Sequence, residues 1–113
     1  RAAYAASRAR LEVATADKTI TKNESGELYA VDAGGALAIT LPTDPEQGTR
    51  YKFMIVDDVT GGAVTITAAA DDDVLTLAAD TEQGSWVICV YDKDNTRWLV
   101  EGWVSAATAP AFA

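Results

Sequence analysis

Large apolar side chains recur at every second position along much of this chain, which is the period of a β-strand with one buried face. The clearest examples are residues 36–41, 49–56 and 63–68. The other segments that suit a strand are residues 17–23, 27–32, 74–77, 86–91 and 97–104. Turn-forming residues separate these segments roughly every ten positions, and no segment has a convincing helical period.

About eight short strands with frequent turns predict an all-β fold, and an antiparallel β-sandwich, jelly-roll-like in arrangement, is the expected architecture. Residues 17–104 are expected to form the sandwich domain. Residues 1–16, rich in Ala and Arg, are expected to form an extended N-terminal arm, with a frayed terminus as the alternative. Residues 105–113 are expected to form a C-terminal tail.

The alternating positions also predict which side chains are buried. The expected core consists of Leu37, Ile39, Tyr51, Phe53, Ile55, Val64, Ile66, Ile88, Val90, Trp98 and Val100.

The segment from 86 to 103 holds all three tryptophans and is predicted to be a β-hairpin that anchors the core. Its first strand, residues 86–91, is apolar on both faces, although a strand with one wet face should alternate. Its second strand places Leu99 and Trp103 on the outer face with Arg97 and Glu101. Two explanations stay open: a central strand covered by a second sheet and the termini, or burial against another subunit.

The charge is unevenly distributed. The chain has a net charge of −8, yet Arg1, Arg8 and Arg10 put three positive charges in the first eleven residues, so the rest carries −11. An acidic body argues against binding nucleic acid, and no apolar run approaches the ~20 residues of a membrane span. A short basic arm on an acidic body can dock on an acidic neighbour.

Few residues suggest catalysis or metal binding. The chain has no histidine, and its single cysteine, Cys89, lies within a strand and is expected to be a small buried hydrophobe. The run at residues 71–73, with Asp57, Asp58 or Asp80, could hold a hard cation. It lacks the spaced pattern of a calcium loop, so an acidic turn in solvent is the preferred interpretation. No catalytic residue, metal or cofactor is predicted.

A series of short strand motifs resembles a module of tailed-phage virion proteins, found in capsid decoration (cement) proteins and in tail-fibre-like proteins. The resemblance covers about residues 17–104 and depends on the order of the motifs. The motifs are Thr19-Ile20-Thr21, Ser25-Gly26-Glu27-Leu28-Tyr29, Ile39-Thr40-Leu41-Pro42, Gly48-Thr49-Arg50-Tyr51-Lys52-Phe53, Val64-Thr65-Ile66 and Trp98-Leu99-Val100-Glu101-Gly102.

The resemblance implies a structural virion protein without enzymatic activity, a homotrimer on the outer surface of a bacteriophage capsid that binds and bridges the major capsid protein. The alternative is a tail-fibre or adhesin-like module that binds a host glycan. The arm residues expected to contact the capsid are Arg1, Tyr4, Arg8 and Arg10. The residues expected at the subunit interface are Trp86, Val87, Tyr91, Leu99 and Trp103.

Overall fold

A computed structural model of the chain describes residues 11–21, 26–68, 73–106 and 111–112. Every regular element in these residues is a β-strand, so the prediction of an all-β fold is confirmed. The strands are β1 (Leu11–Ala14), β2 (Lys18–Thr19), β3 (Leu28–Val31), β4 (Leu37–Thr40), β5 (Arg50–Ile55), β6 (Val64–Thr67), β7 (Asp73–Leu77), β8 (Trp86–Asp92), β9 (Arg97–Trp103) and β10 (Ala111–Phe112).

The strands form two sheets. Sheet A has the order β1-β3-β5-β8-β9, and sheet B has the order β10-β7-β6-β4-β2. The first six strands alternate between the two sheets, so β1, β3 and β5 are successive neighbours in sheet A and β2, β4 and β6 are successive neighbours in sheet B. The chain therefore winds back and forth between the sheets before β8 and β9 close sheet A as a hairpin.

Both sheets are mixed, which corrects the prediction of an antiparallel, jelly-roll-like arrangement. Strands β1, β3 and β5 run parallel to one another, as do β2, β4 and β6. The remaining pairs are antiparallel. Parallel neighbours need a long crossover, and here a strand of the opposite sheet supplies it. The alternation of side chains shows which face is buried but carries no information about strand direction.

The two sheets contribute to one buried cluster, which confirms most of the predicted core. The inward residues of β4, β5 and β6 are each at most 3% exposed. They are Leu37, Ile39, Tyr51, Phe53, Ile55, Val64 and Ile66. The rings of Tyr29 and Phe53 stack within this cluster with centroids 5.3 Å apart.

Strand β8 presents the opposite face to the core from the one predicted. Val87 and Cys89 are buried, whereas Ile88 and Val90 are half-buried on the outer side. The reason is the register with β5, in which Phe53 lies opposite Val87. Cross-strand partners point to the same side of a sheet, so the inward face of β5 determines the inward face of β8. Trp98 and Val100 of β9 are also half-buried, but they lie against the core as expected.

Parts of the two terminal segments belong to the sheets. Strand β1 lies within the residues assigned to the arm and pairs with β3 at the edge of sheet A. Strand β10 lies within the residues assigned to the tail and pairs with β7. Arg1, Tyr4, Arg8 and Arg10 lie outside the described residues.

Candidate functional site: the outer face of sheet A

An apolar row crosses the outer face of sheet A from one edge to the other. Successive cross-strand partners place one residue from each of the five strands in this row. The apolar row consists of Val13, Ala30, Met54, Trp86 and Trp103. Because partners in a pleated sheet project to the same side, these side chains form one continuous band.

The two ends of this band are open to solvent, and so is Leu99, which lies on the same face of β9 four residues before Trp103. Val13 is 59% exposed, Leu99 is 45% exposed and Trp103 is 56% exposed. The only other large hydrophobic residue of this exposure among the described residues is Val56, which directly follows β5. Between the ends of the band, Met54 and Trp86 are half-buried and Ala30 is buried. An apolar band with exposed ends is a candidate interaction surface.

A second row, beside the apolar row, carries opposite charges on either side of β8. This charged row consists of Leu28, Lys52, Ile88 and Glu101, again successive cross-strand partners. The Nζ atom of Lys52 lies 5.0 Å from the centroid of the Trp86 ring. The ammonium group therefore lies over the indole, in the range of a cation–π interaction. A third row, on the other side of the charged row, consists of Arg50, Val90 and Leu99, which are also successive cross-strand partners.

The turn of the β8–β9 hairpin is held by its own polar contacts and by the loop before β5. The Asn95 side chain donates a hydrogen bond of 2.6 Å to Asp92 Oδ2, and Arg97 Nε lies 4.0 Å from the same oxygen. The Asn95 hydrogen bond, and to a lesser degree Arg97, lower the pKa of Asp92. The Lys93 amide donates to Gln47 Oε1 over 2.6 Å. These contacts position β9, and with it Leu99 and Trp103, relative to β5.

The structure places three of the five predicted interface residues on the outer face: Trp86, Leu99 and Trp103. The assignment of Val87 to a subunit interface is corrected, because its side chain is 1% exposed and belongs to the core. Tyr91 points to the core side as well, and its ring centroid lies 5.1 Å from that of Trp98.

Sequence reasoning missed Val13 and Met54 as members of this face. Met54 alternates with Phe53 and Ile55, so its outward position was visible, but nothing linked it to Trp86. Val13 joins the face only because β1 pairs with β3 in a parallel register.

The surroundings of the single thiol, Cys89, and of the Asp58 carboxylate indicate structural roles. Cys89 is buried, and this burial raises the pKa of its thiol to about 12. Asp58 Oδ1 accepts a 2.8 Å hydrogen bond from the Gln83 amide, which ties two loops together. In the part of the chain that the structure describes, no group of three Cys, Asp or Glu residues could hold a metal ion. Residues 71 and 72 lie outside that part.

No protein-family model matches this chain, and no curated protein is significantly similar to it. Among the described residues, no helix is long and apolar enough to cross a membrane.

Proposed function

We propose that this chain is a structural virion protein that decorates and stabilises a bacteriophage capsid, binding the lattice of the major capsid protein as a homotrimer. The observation that carries the proposal is the exposed apolar band on sheet A, which includes Trp86 and Trp103. A band of this kind is better explained as a contact surface than as a reaction site, because it is a wide apolar surface rather than a cleft in which polar groups converge. The resemblance of the ordered strand motifs to a module of phage virion proteins suggests the biological setting.

A two-layered body suits a mechanical role. We infer that sheets A and B face each other as the layers of a sandwich, because their buried side chains form one cluster. Such a body presents one broad outer face per sheet. In this proposal the outer face of sheet A contacts other subunits, and the basic residues Arg1, Arg8 and Arg10 contact the capsid.

The proposal is tested by adding the purified protein to preformed, undecorated phage heads. We expect it to co-sediment with the heads at a saturable stoichiometry and to raise the temperature at which they rupture. Mature heads that already carry their decoration protein are the matched control, because their sites are occupied. Failure to bind undecorated heads from several unrelated tailed phages would contradict the proposal.

The alternative function, a fibre or adhesin-like module that binds a host glycan, has one specific observation in its favour. The exposed ring of Trp103 follows the exposed Glu101 by two residues on β9, so both lie on the same face. An aromatic platform beside a carboxylate can stack on a sugar ring and accept hydrogen bonds from its hydroxyl groups. A glycan array separates the two: specific sugar binding that Trp103→Ala abolishes, without attachment to heads, would favour the alternative.

A further inference from the structure

We propose that the subunits associate through the outer face of sheet A around a symmetry axis that runs along β8, with Lys52 of each subunit beside Glu101 of the next. This inference rests on the self-association in the proposed function and specifies its geometry. The occupant of the apolar band is therefore a further copy of this chain.

Strand β8 is the fourth of the five strands of sheet A and presents apolar side chains to the outer face. Its outward residues, Trp86, Ile88 and Val90, are half-buried within a single chain. Strands β5 and β9 flank β8 on either side. In the charged row, Lys52 lies on the β5 side of Ile88 and Glu101 lies on the β9 side. The charged row thus carries a positive and a negative charge at equal distances from β8.

An axis along β8 brings the β5 side of one copy to the β9 side of the next. Residues of the same row then meet, so Lys52 meets Glu101 and Met54 meets Trp103 of the adjacent copy. Within one chain, Ile88 of β8 lies between Lys52 and Glu101, and the Lys52 ammonium group lies over the Trp86 ring rather than beside the Glu101 carboxylate. Their partners in this arrangement come from the neighbouring subunit.

Other orientations of the axis are less favourable. An axis perpendicular to the strands, along the rows, places β5 against β5 and β9 against β9. Where such an axis follows the charged row, it would bring Lys52 next to Lys52 and Glu101 next to Glu101, and juxtaposed like charges at an interface are strongly unfavourable. The charged row therefore favours the axis along β8 over an axis along the charged row itself.

The same pattern favours a copy of this chain over a different partner. A partner surface that carries charges of one sign would attract either Lys52 or Glu101 and repel the other. A second copy matches both at once, because each subunit offers the complementary charge on the opposite side of β8. Closed cyclic symmetry also covers the part of the apolar band that lies on β5, β8 and β9, which includes the exposed Trp103.

Charge reversal tests the arrangement. We would prepare Lys52→Glu, Glu101→Lys and the double variant, and measure the mass and dissociation constant of each by sedimentation equilibrium and light scattering. Each single variant places like charges together, so its dissociation constant should rise about tenfold or more. The double variant restores opposite charges in reversed order, so it should regain most of the lost affinity.

Two controls carry the same charge changes off the face: Lys93→Glu and Asp94→Lys, both in the exposed turn of the hairpin. They should associate as the wild type does, and all variants should keep the far-UV circular dichroism spectrum of the wild type. The inference is overturned if the single variants match these controls, or if the double variant associates no better than the weaker single variant.

The outcomes also separate this inference from the proposed function. A wild-type monomer at tens of micromolar refutes the shared interface, whether or not heads are bound. A dimer that shows the charge-reversal rescue supports the axis along β8 and refutes the homotrimer. Loss of head binding with an intact rescue refutes the capsid role and leaves the interface standing.

Discussion

At the scale of single residues, burial determines how the chemically reactive groups behave. Cys89 sits opposite Tyr51 on the core side of β8, where no part of its side chain reaches solvent. A thiolate in such surroundings loses its hydration, so the neutral thiol is favoured and its pKa rises. The group is therefore a small core hydrophobe rather than a nucleophile.

The raised pKa of Cys89 makes stability depend on alkaline pH. Above the ordinary value of 9.0 the unfolded chain loses the thiol proton, while the folded chain keeps it until about pH 12. The unfolded state then binds fewer protons, so the free energy of unfolding falls with rising pH, by at most about 1.4 kcal/mol per pH unit in this window. Urea titrations of the wild type and of Cys89→Ala from pH 7 to pH 10.5 measure how the free energy of unfolding changes with pH. The variant should show the shallower decline, and parallel declines would contradict the prediction.

At the scale of the elements, the β8–β9 hairpin brings two backbones unusually close together. Gly102 of β9 lies opposite Val87, and a Cβ atom added there would lie 2.8 Å from Val87 Cα and against the carbonyl oxygen of Trp86. Neither contact is with a flexible side chain, so a larger residue would have to displace backbone. Gly102 thereby holds Trp103 opposite Trp86, at one end of the apolar band.

Gly102→Ala should therefore destabilise the fold by about 1–3 kcal/mol, the usual cost of forcing extra atoms into a filled site. Gly34→Ala is the matched control, because an added Cβ there meets nothing within 4 Å. Urea unfolding followed by tryptophan fluorescence compares the two. If both variants unfold at the same urea concentration as the wild type, the close approach of β8 and β9 does not constrain the protein.

At the scale of the whole molecule, the basic residues at the start of the chain and the apolar band belong to different parts of the sequence. The chain beyond the first eleven residues carries −11, while the residues before β1 contribute Arg1, Arg8 and Arg10. Since β1 forms an edge of sheet A, the basic segment joins the body beside the face proposed for self-association. The two proposed contacts, with other subunits and with the capsid, therefore involve separate residues and can be tested separately.

Deleting residues 1–10 removes the basic segment and leaves β1 intact. We expect attachment to undecorated heads to weaken, and to become less sensitive to salt, because three cationic contacts are lost. The oligomer and its melting temperature should not change. A full-length variant with Arg1, Arg8 and Arg10 replaced by Gln should behave like the deletion. Unchanged head affinity in both variants would show that the segment plays no part in attachment.

The sequence by itself determined the fold class and most of the core, because the period of two is local. In β5, Tyr51, Phe53 and Ile55 alternate with Arg50, Lys52 and Met54, and this pattern specifies the buried face without reference to any neighbour. Part of the candidate site was predictable for the same reason. Leu99 and Trp103 share a face with Arg97 and Glu101, and the structure leaves all four exposed.

Only the tertiary structure decided which strands are neighbours and in which direction they run. Alternation on β3 and β5 is compatible with parallel or antiparallel partners, so the winding between two mixed sheets was not visible. Strand β8, apolar on both faces, took its orientation from its register with Phe53 and Tyr51. Val13 lies on the same face as Trp86 and Trp103 because β1 pairs with β3 at the edge of the same sheet. Strand pairing is set by contacts between residues distant in sequence, whereas side-chain alternation is a property of each segment alone.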